Sequence, residues 1–302
     1  MAAVIVIPKA EFQANYLGLG DQSNDEVSRR AGTMGTALLS GTSFSAQQYR
    51  LSGGLFEAGN FTPFDSADEA TQQSEDVPSK SPRILEALGV VLLDDPSAED
   101  LAMLANRATV IENFEVSLIE PVEEEAPREE DTSWHLTTLF GDISNRKLTG
   151  KNVRIGILDT GIDPNHPEFA GKHISFMEFD TDGFPISTAA RDAGRHGTHV
   201  SGIAAGGTVG VAPDADLAVA AVLTIETEFG LSGTAAQILA GYNWLAHTNH
   251  APNPSGISLC HVINASLGAP GYQNFLYSSV STLLSLSRSL LIAAIGNSGN
   301  GG

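Results

Sequence analysis

The sequence predicts an α/β protein: a parallel sheet with flanking helices, preceded by a small α+β module. Three observations predict it. Continuous apolar runs at residues 153–158, 217–223, 262–265 and 290–295 alternate with helical stretches, and strands apolar on both faces with helices between them form a covered parallel sheet. Before about residue 120 the runs are shorter and more β-branched, as in a small αβ sandwich. Between the two, residues 120–131 read Glu-Pro-Val-Glu-Glu-Glu-Ala-Pro-Arg-Glu-Glu-Asp, a self-repelling run with two prolines that predicts an extended linker. The expected organisation is therefore a module over 1–120, a linker over 121–133 and a second domain over 134–302.

In the first module, residues 3–7 predict a strand stopped by Pro8. Residues 9–80 are mostly Gly, Ser, Thr, Gln, Asn and Asp, and predict a long insertion with little regular structure. Ser81-Pro82 predicts a helix start, with Gly89 closing a short helix and residues 90–93 a strand. Ser97 and Asp100 bracket a capping-box pattern ahead of Leu101, Leu104 and Ala105, one face of a helix. Residues 110–118 predict one or two strands, with Phe114, Val116 and Leu118 alternating. In the second domain, helices are predicted over 234–247, with Ile238, Leu239, Tyr242 and Leu245 on one side, and over roughly 274–289.

Of the residues, 42% are hydrophobic and 17% charged, which excludes disorder throughout. A net charge of −20 argues against nucleic acid or an anionic membrane as partner. The single cysteine, Cys260, rules out an internal disulfide framework and lies in an apolar run where an inert buried thiol is expected. The N-terminal apolar run is too short for a signal-peptide core and lacks a basic lead-in, and no run reaches the ~18 residues of a membrane span. A cytoplasmic location is the default expectation, with secretion of a longer or processed form the other.

Two stretches carry chemistry. Residues 153–163 are an apolar run ending in Asp159 and a turn glycine, Gly161; residues 196–202, His-Gly-Thr-His-Val-Ser-Gly, put His196 at the start of a small-residue helix. A hydroxyl attacks a peptide carbonyl only if a base removes its proton, and imidazole suits that task when a carboxylate holds its tautomer. In open parallel sheets catalytic groups gather at the carboxyl ends of strands, where Asp159, Ser266 and Asn297 fall. His196 and His199 are three apart but no third ligand is evident, so no metal and no cofactor are expected.

Together these residues resemble the subtilisin-like serine proteases, the subtilases. Asp159 with Thr160, Gly161 and Ile162 is similar to the family's acid motif, and His196 through His199 to its histidine motif. Gly-Val-Ala-Pro at 210–213 recurs in the family after that helix. Asn264 through Gly268 resembles its substrate-binding strand, and Asn297 its oxyanion-hole asparagine. The resemblance implies a peptide or protein substrate whose backbone lies along Ser266, Leu267 and Gly268 beside Gly230. It also implies that the first region is a prodomain, an intramolecular partner, cut from the enzyme within the acidic linker.

Two departures from the family bear on function. Only Gly-Gly-Thr-Val, residues 206–209, separates the histidine helix from Gly-Val-Ala-Pro, so the family's calcium loop is expected to be absent, although Glu168 stands where a calcium-binding acid is often found. The family's serine lies in Gly-Thr-Ser-x-Ala/Ser-x-Pro after the oxyanion asparagine, and residues 298–302 hold no such motif. The expectation is a subtilisin-like domain incomplete at its C-terminal side and inactive as this chain alone; the alternative is a non-catalytic peptide-binding or regulatory pseudoprotease. Gly41-Thr42-Ser43 reads like the serine motif near the other end of the chain, but Gln47-Gln48 stands where Pro-His is expected, which argues against a permuted enzyme.

Overall fold

A computed structural model of the chain describes residues 3–16, 24–44, 49–51, 82–118, 134–142, 146–228, 230–246, 260–268, 289–294 and 296. The first region contains β1 (Val4–Pro8), α1 (Ala10–Gln13), α2 (Asn24–Leu38), β2 (Tyr49–Leu51), β3 (Arg83–Leu85), β4 (Val90–Leu93), α3 (Ala98–Leu104), β5 (Ala108–Glu112) and β6 (Glu115–Leu118). The second contains α4 (Trp134–Phe140), β7 (Arg154–Asp159), β8 (Ile174–Phe179), β9 (Pro185–Ser187), α5 (His196–Ala205), β10 (Asp216–Ala221), β11 (Ile225–Thr227), β12 (Gly230–Thr234), α6 (Ala235–Ala246), β13 (Val262–Ala265), β14 (Leu267–Gly268) and β15 (Leu290–Ala293).

These strands build three sheets. The first region's sheet has the order β2-β3-β4-β1-β5, and the second region's main sheet the order β15-β13-β7-β10-β8-β9. The main sheet is parallel except for the β8–β9 pair, as the apolar runs predict. The third sheet, β11-β12-β6-β14, draws on both regions: β6 lies antiparallel between β12 and β14. The alternation at Phe114, Val116 and Leu118 thus reports a strand that has left the first region's own sheet.

Helix α6 joins the two regions. It is buried nearly all round, as a helix apolar on every side must be. One flank packs on the main sheet and the other on the first region, so Leu239, Ala240 and Tyr242 share a core with Leu158, Ala218 and Ala220 and with Ile5, Ile7 and Leu92. Thr234 and Gln237 close its first turn reciprocally: Gln237 Oε1 accepts from the Thr234 N–H at 2.9 Å and Thr234 Oγ1 from the Gln237 N–H at 3.2 Å. Two more of its leading N–H groups are satisfied from the first region, Ala235 by the Phe114 carbonyl at 2.8 Å and Ala236 by Asn113 Oδ1 at 2.9 Å.

Two sequence expectations change, and a third gains detail. The span 9–80 is not without regular structure, since α2 runs for 15 residues and buries Ala31, Met34 and Leu38 at helical spacing. The helix expected from Ser81-Pro82 is instead strand β3 followed by a turn through Gly89, because Ile84 and Leu85 pair with Val91 and Val90. The expected strands at 110–118 are β5 and β6, in different sheets. The helix expected over 274–289 and the linker over 121–133 lie outside the described residues. Among the described residues no helix is long and apolar enough to cross a membrane.

Candidate active site

Strand β7 delivers Asp159 to the carboxyl edge of the main sheet with no exposed surface. There the chain turns at Gly161, where φ is +123°, a conformation that excludes ordinary side chains. A Cβ on Gly161 would lie 2.1 Å from the Arg191 carbonyl oxygen, and one on Gly197 would lie 2.1 Å from the Gly161 carbonyl oxygen. Both positions must be bare for the first turn of α5 to seat against the end of β7. That seating puts His196 Nδ1 at 2.8 Å and 3.0 Å from the two carboxylate oxygens of Asp159. The Thr160 N–H also donates to Asp159 Oδ1, at 2.7 Å. With Nδ1–H facing a buried carboxylate, the neutral imidazole carries its lone pair on Nε2, the tautomer a general base needs.

Asp192 was not singled out in the sequence, and it holds this corner together. The Asp192 carboxylate takes four hydrogen bonds: at Oδ1 from the Thr160 hydroxyl (2.6 Å) and the Gly194 N–H (3.1 Å), at Oδ2 from the Thr198 N–H (2.8 Å) and hydroxyl (2.5 Å). Thr160 Oγ1 in turn accepts from the Gly197 N–H at 2.9 Å. The N-cap residue of α5, Arg195, makes no side-chain cap, so Asp192 serves the helix terminus from outside it. Beside it, Arg191 pairs with the buried Glu178 through Nε at 2.8 Å and through a terminal nitrogen, and that pairing pushes the guanidinium further up.

The peptide-binding candidates divide. Leu267 and Gly268 form β14 and pair with Leu118 and Ser117 of β6. Ser266 directly precedes that strand, and its hydroxyl accepts from the Asn264 side-chain amide at 2.9 Å. Gly230 opens β12 and pairs with Thr227 of β11. The β12 residues matched with β6 are Ser232, Gly233 and Thr234, facing Ser117, Val116 and Glu115, and they went unnamed in the sequence. Gly233 carried a readable signal, a glycine inside a strand pattern, which marks close backbone approach. A Cβ there would lie 1.9 Å from the Val222 carbonyl oxygen. Asn297 lies outside the described residues.

The remaining candidates are held by contacts of their own. Ser43, in the upstream serine-like motif, donates its hydroxyl to Asp100 Oδ2 at 2.9 Å and its N–H to Oδ1 at 2.7 Å, so this motif is part of the first region's α3 cap. Burial opposes ionisation of Glu168, but the Thr208 hydroxyl and the N–H groups of Thr208 and Val209 outweigh it and hold the carboxyl below its ordinary range. Its oxygens thus brace the 206–209 loop. No group of three or more His, Cys, Asp or Glu that could hold a metal occurs among the described residues. Cys260 is fully buried, which pushes its thiol up to about 12. A cavity of 1170 Å³ opens against α5, with Trp134, His135, Asp192, Thr198, His199 and Ile203 in its lining; Asp159 and His196 do not line it.

The main sheet is parallel but for one edge pair and presents an acid and an imidazole at its carboxyl edge, and comparison with known proteins names the family. The sequence profile of the subtilase family matches residues 150–302. The chain belongs to the subtilase family, the subtilisin-like serine proteases. It is 42% identical over 130 residues to the subtilisin-like protease PopC of Myxococcus xanthus, covering 41% of this chain and 26% of that protein. It is 32% identical over 193 residues to the alkaline protease of Alkalihalobacillus alcalophilus, covering 62% and 45%. The crystal structure of a cold-adapted subtilisin-like serine proteinase matches with 29% identity and a TM-score of 0.39, over 50% of this chain and 49% of that one. The chain thus spans less than half the length of these relatives.

Proposed function

We propose that these residues carry the acid–base half and the substrate-binding strands of a subtilisin-like serine endopeptidase. The observation that carries the reading is the His196 Nδ1–Asp159 contact at 2.8 Å on a fully buried carboxylate. In this reading Nε2 of His196 takes the proton of a serine hydroxyl as its oxygen attacks the peptide carbonyl carbon. The carbonyl electron pair moves onto the oxygen, which Asn297 stabilises by hydrogen bonding. His196 then returns the proton to the departing amine, Asp159 holding the imidazolium throughout, and a water repeats the sequence on the acyl-enzyme. The substrate backbone adds as a strand between β12 and β14, where β6 now lies, with Gly268 and Gly233 admitting close approach. The first region acts as a prodomain, and the cut that releases it falls in the acidic linker after β6.

No Gly-Thr-Ser-x-x-x-Pro segment follows Asn297 within these 302 residues, and Ser43 is bonded to Asp100. The mechanism therefore needs a serine that the described residues do not place beside His196. The placement of β6 equally suits a regulatory protein that only binds peptides, and one experiment separates the two. The 302-residue chain should remain unlabelled by a fluorophosphonate probe and uncut over residues 120–133. A chain carrying the serine segment after Asn297 should label and cut there. Labelling of Ser43 would move the nucleophile to the first region, and an inert serine-bearing chain would leave the binding protein as the better reading.

A further inference from the structure

We propose that Asp192 is a positioning residue for the acid–base pair, one that fixes the His196–Asp159 contact without touching either side chain. The proposal rests on reading Asp159 and His196 as that pair. Three residues stand in for the pair in its network. Thr160 follows Asp159, Gly197 follows His196, and Thr198 lies two residues beyond His196. Asp192 takes the hydroxyls of both threonines, one on each carboxylate oxygen, at 2.6 Å and 2.5 Å. Thr160 completes the ring by accepting the Gly197 N–H. The backbone clips the same segments: Ile162 donates to the Arg191 carbonyl and Ala193 to the Thr160 carbonyl, both at 3.0 Å, and Gly161 bridges with Asp192.

The geometry makes the carboxylate more than a helix cap. A cap alone would serve the N–H groups of α5 and leave the end of β7 to its own strand. Here the charge that satisfies α5 is also the acceptor for Thr160, so rotation of α5 against β7 stretches charge-assisted hydrogen bonds at both ends. Both members of the pair sit one peptide unit from this brace, and displacements near 1 Å cost catalysis about a hundredfold.

The test reads the pair directly and needs no peptidase activity. In the 302-residue chain, the His196 Nδ1 proton bonded to Asp159 should give a low-field proton resonance, assigned by its loss in Asp159→Asn. Asp192→Asn removes the charge and Thr160→Val removes one tie with no change of charge. Both should broaden or abolish the resonance while the amide spectrum of β7 and β10 stays native-like. Thr160→Ser, which keeps the hydroxyl, should retain it. In a form that carries the nucleophile, Thr160→Val should lower kcat by ~10²-fold with KM unchanged, because β12 and β14 are untouched. A lowered melting temperature with the resonance unchanged in both Asp192→Asn and Thr160→Val would reduce Asp192 to a stabilising cap and overturn the proposal. Absence of the resonance from the parent chain, under conditions where buried imidazole protons are visible, would instead count against the acid–base pair itself.

Discussion

The two regions bury their sheets by different means. The main sheet is covered on both faces by its own helices, α6 against Leu158, Ala218 and Ala220, and α5 against Ile157, Leu217 and Val219. The first region's sheet covers only one face itself: Val6, Val91 and Leu93 meet Leu38 and Leu39 at the end of α2. Its other face, with Ile5, Ile7, Val90 and Leu92, joins the core built around α6 of the second region. Polar ties follow the same seam, for the Ala87 N–H donates to the buried Asn243 side chain at 2.8 Å and Arg83 lies over the Phe184 ring at 4.4 Å from its centre. One face of the first region's sheet is therefore buried only by the second region. The candidate acid–base pair lies at the carboxyl edge of the main sheet, where β7 ends and α5 begins.

The largest effect expected lies at that edge. Asp159→Asn, in a form that carries the nucleophile, should lower kcat by about 10⁴-fold, the loss that follows when the imidazole is held in the wrong tautomer. A fall of under tenfold in steady-state kinetics would detach the chemistry from β7. Next come paired core truncations, each removing a fully buried leucine at a cost of ~2–5 kcal/mol. Leu92→Ala, on the shared face, should speed amide exchange in β1 and in α6 together. Leu38→Ala, on the private face, should loosen α2 and β4 and leave α6 as it was. Equal patterns from the two variants would erase the contrast between the faces.

Gly268→Leu tests the seam at the third sheet. It should weaken the pairing of β14 with Ser117 and raise amide exchange in β6 by about tenfold, the equivalent of one backbone hydrogen bond. Unchanged exchange would mean that β12 alone holds β6. The smallest effect concerns the 206–209 loop. The folded-state value of Glu168 lies below the unfolded one, so its contribution is complete above about pH 4.5 and fades as the pH falls through the folded value. The melting-temperature gap between the parent and Glu168→Gln should accordingly shrink as the solution is acidified below that range. A gap that is constant with pH would assign the loop's bracing to shape and not to charge.

The same contrast explains what could be read from sequence. Strands β7, β10 and β13 and helix α6 are self-announcing because a parallel sheet imposes long apolar runs, and α6 adds its own Thr234–Gln237 box. Asp159 and His196 were legible because each sits at the boundary of such an element. Helix α2 was hidden by Gly32 and Gly35 within its apolar face, and Gly35 is there because a Cβ would lie 2.6 Å from Ile84. The β3 segment carries helix punctuation at both ends, Ser81-Pro82 and Gly89, while its pairing with β4 is made only in the folded chain. Asp192 escaped notice because the partner that ties it to β7, Thr160, is distant in sequence. The alternation in β6 suits any half-buried sheet, and nothing within its four residues says which one.

Strand β6 is joined to β5 by only two residues, Asn113 and Phe114, and both are themselves bonded to the start of α6. A ligand tethered this tightly is presented to its groove at an effective concentration on the order of millimolar or above. A free peptide of equal intrinsic affinity, at micromolar concentration, would occupy the space between β12 and β14 in fewer than about one molecule in a thousand. In the proposed prodomain reading, covalent continuity would favour a filled groove whatever the strength of the contacts. Once the first region became a separate molecule, the same contacts would have to compete on their own affinity, and dilution would begin to matter.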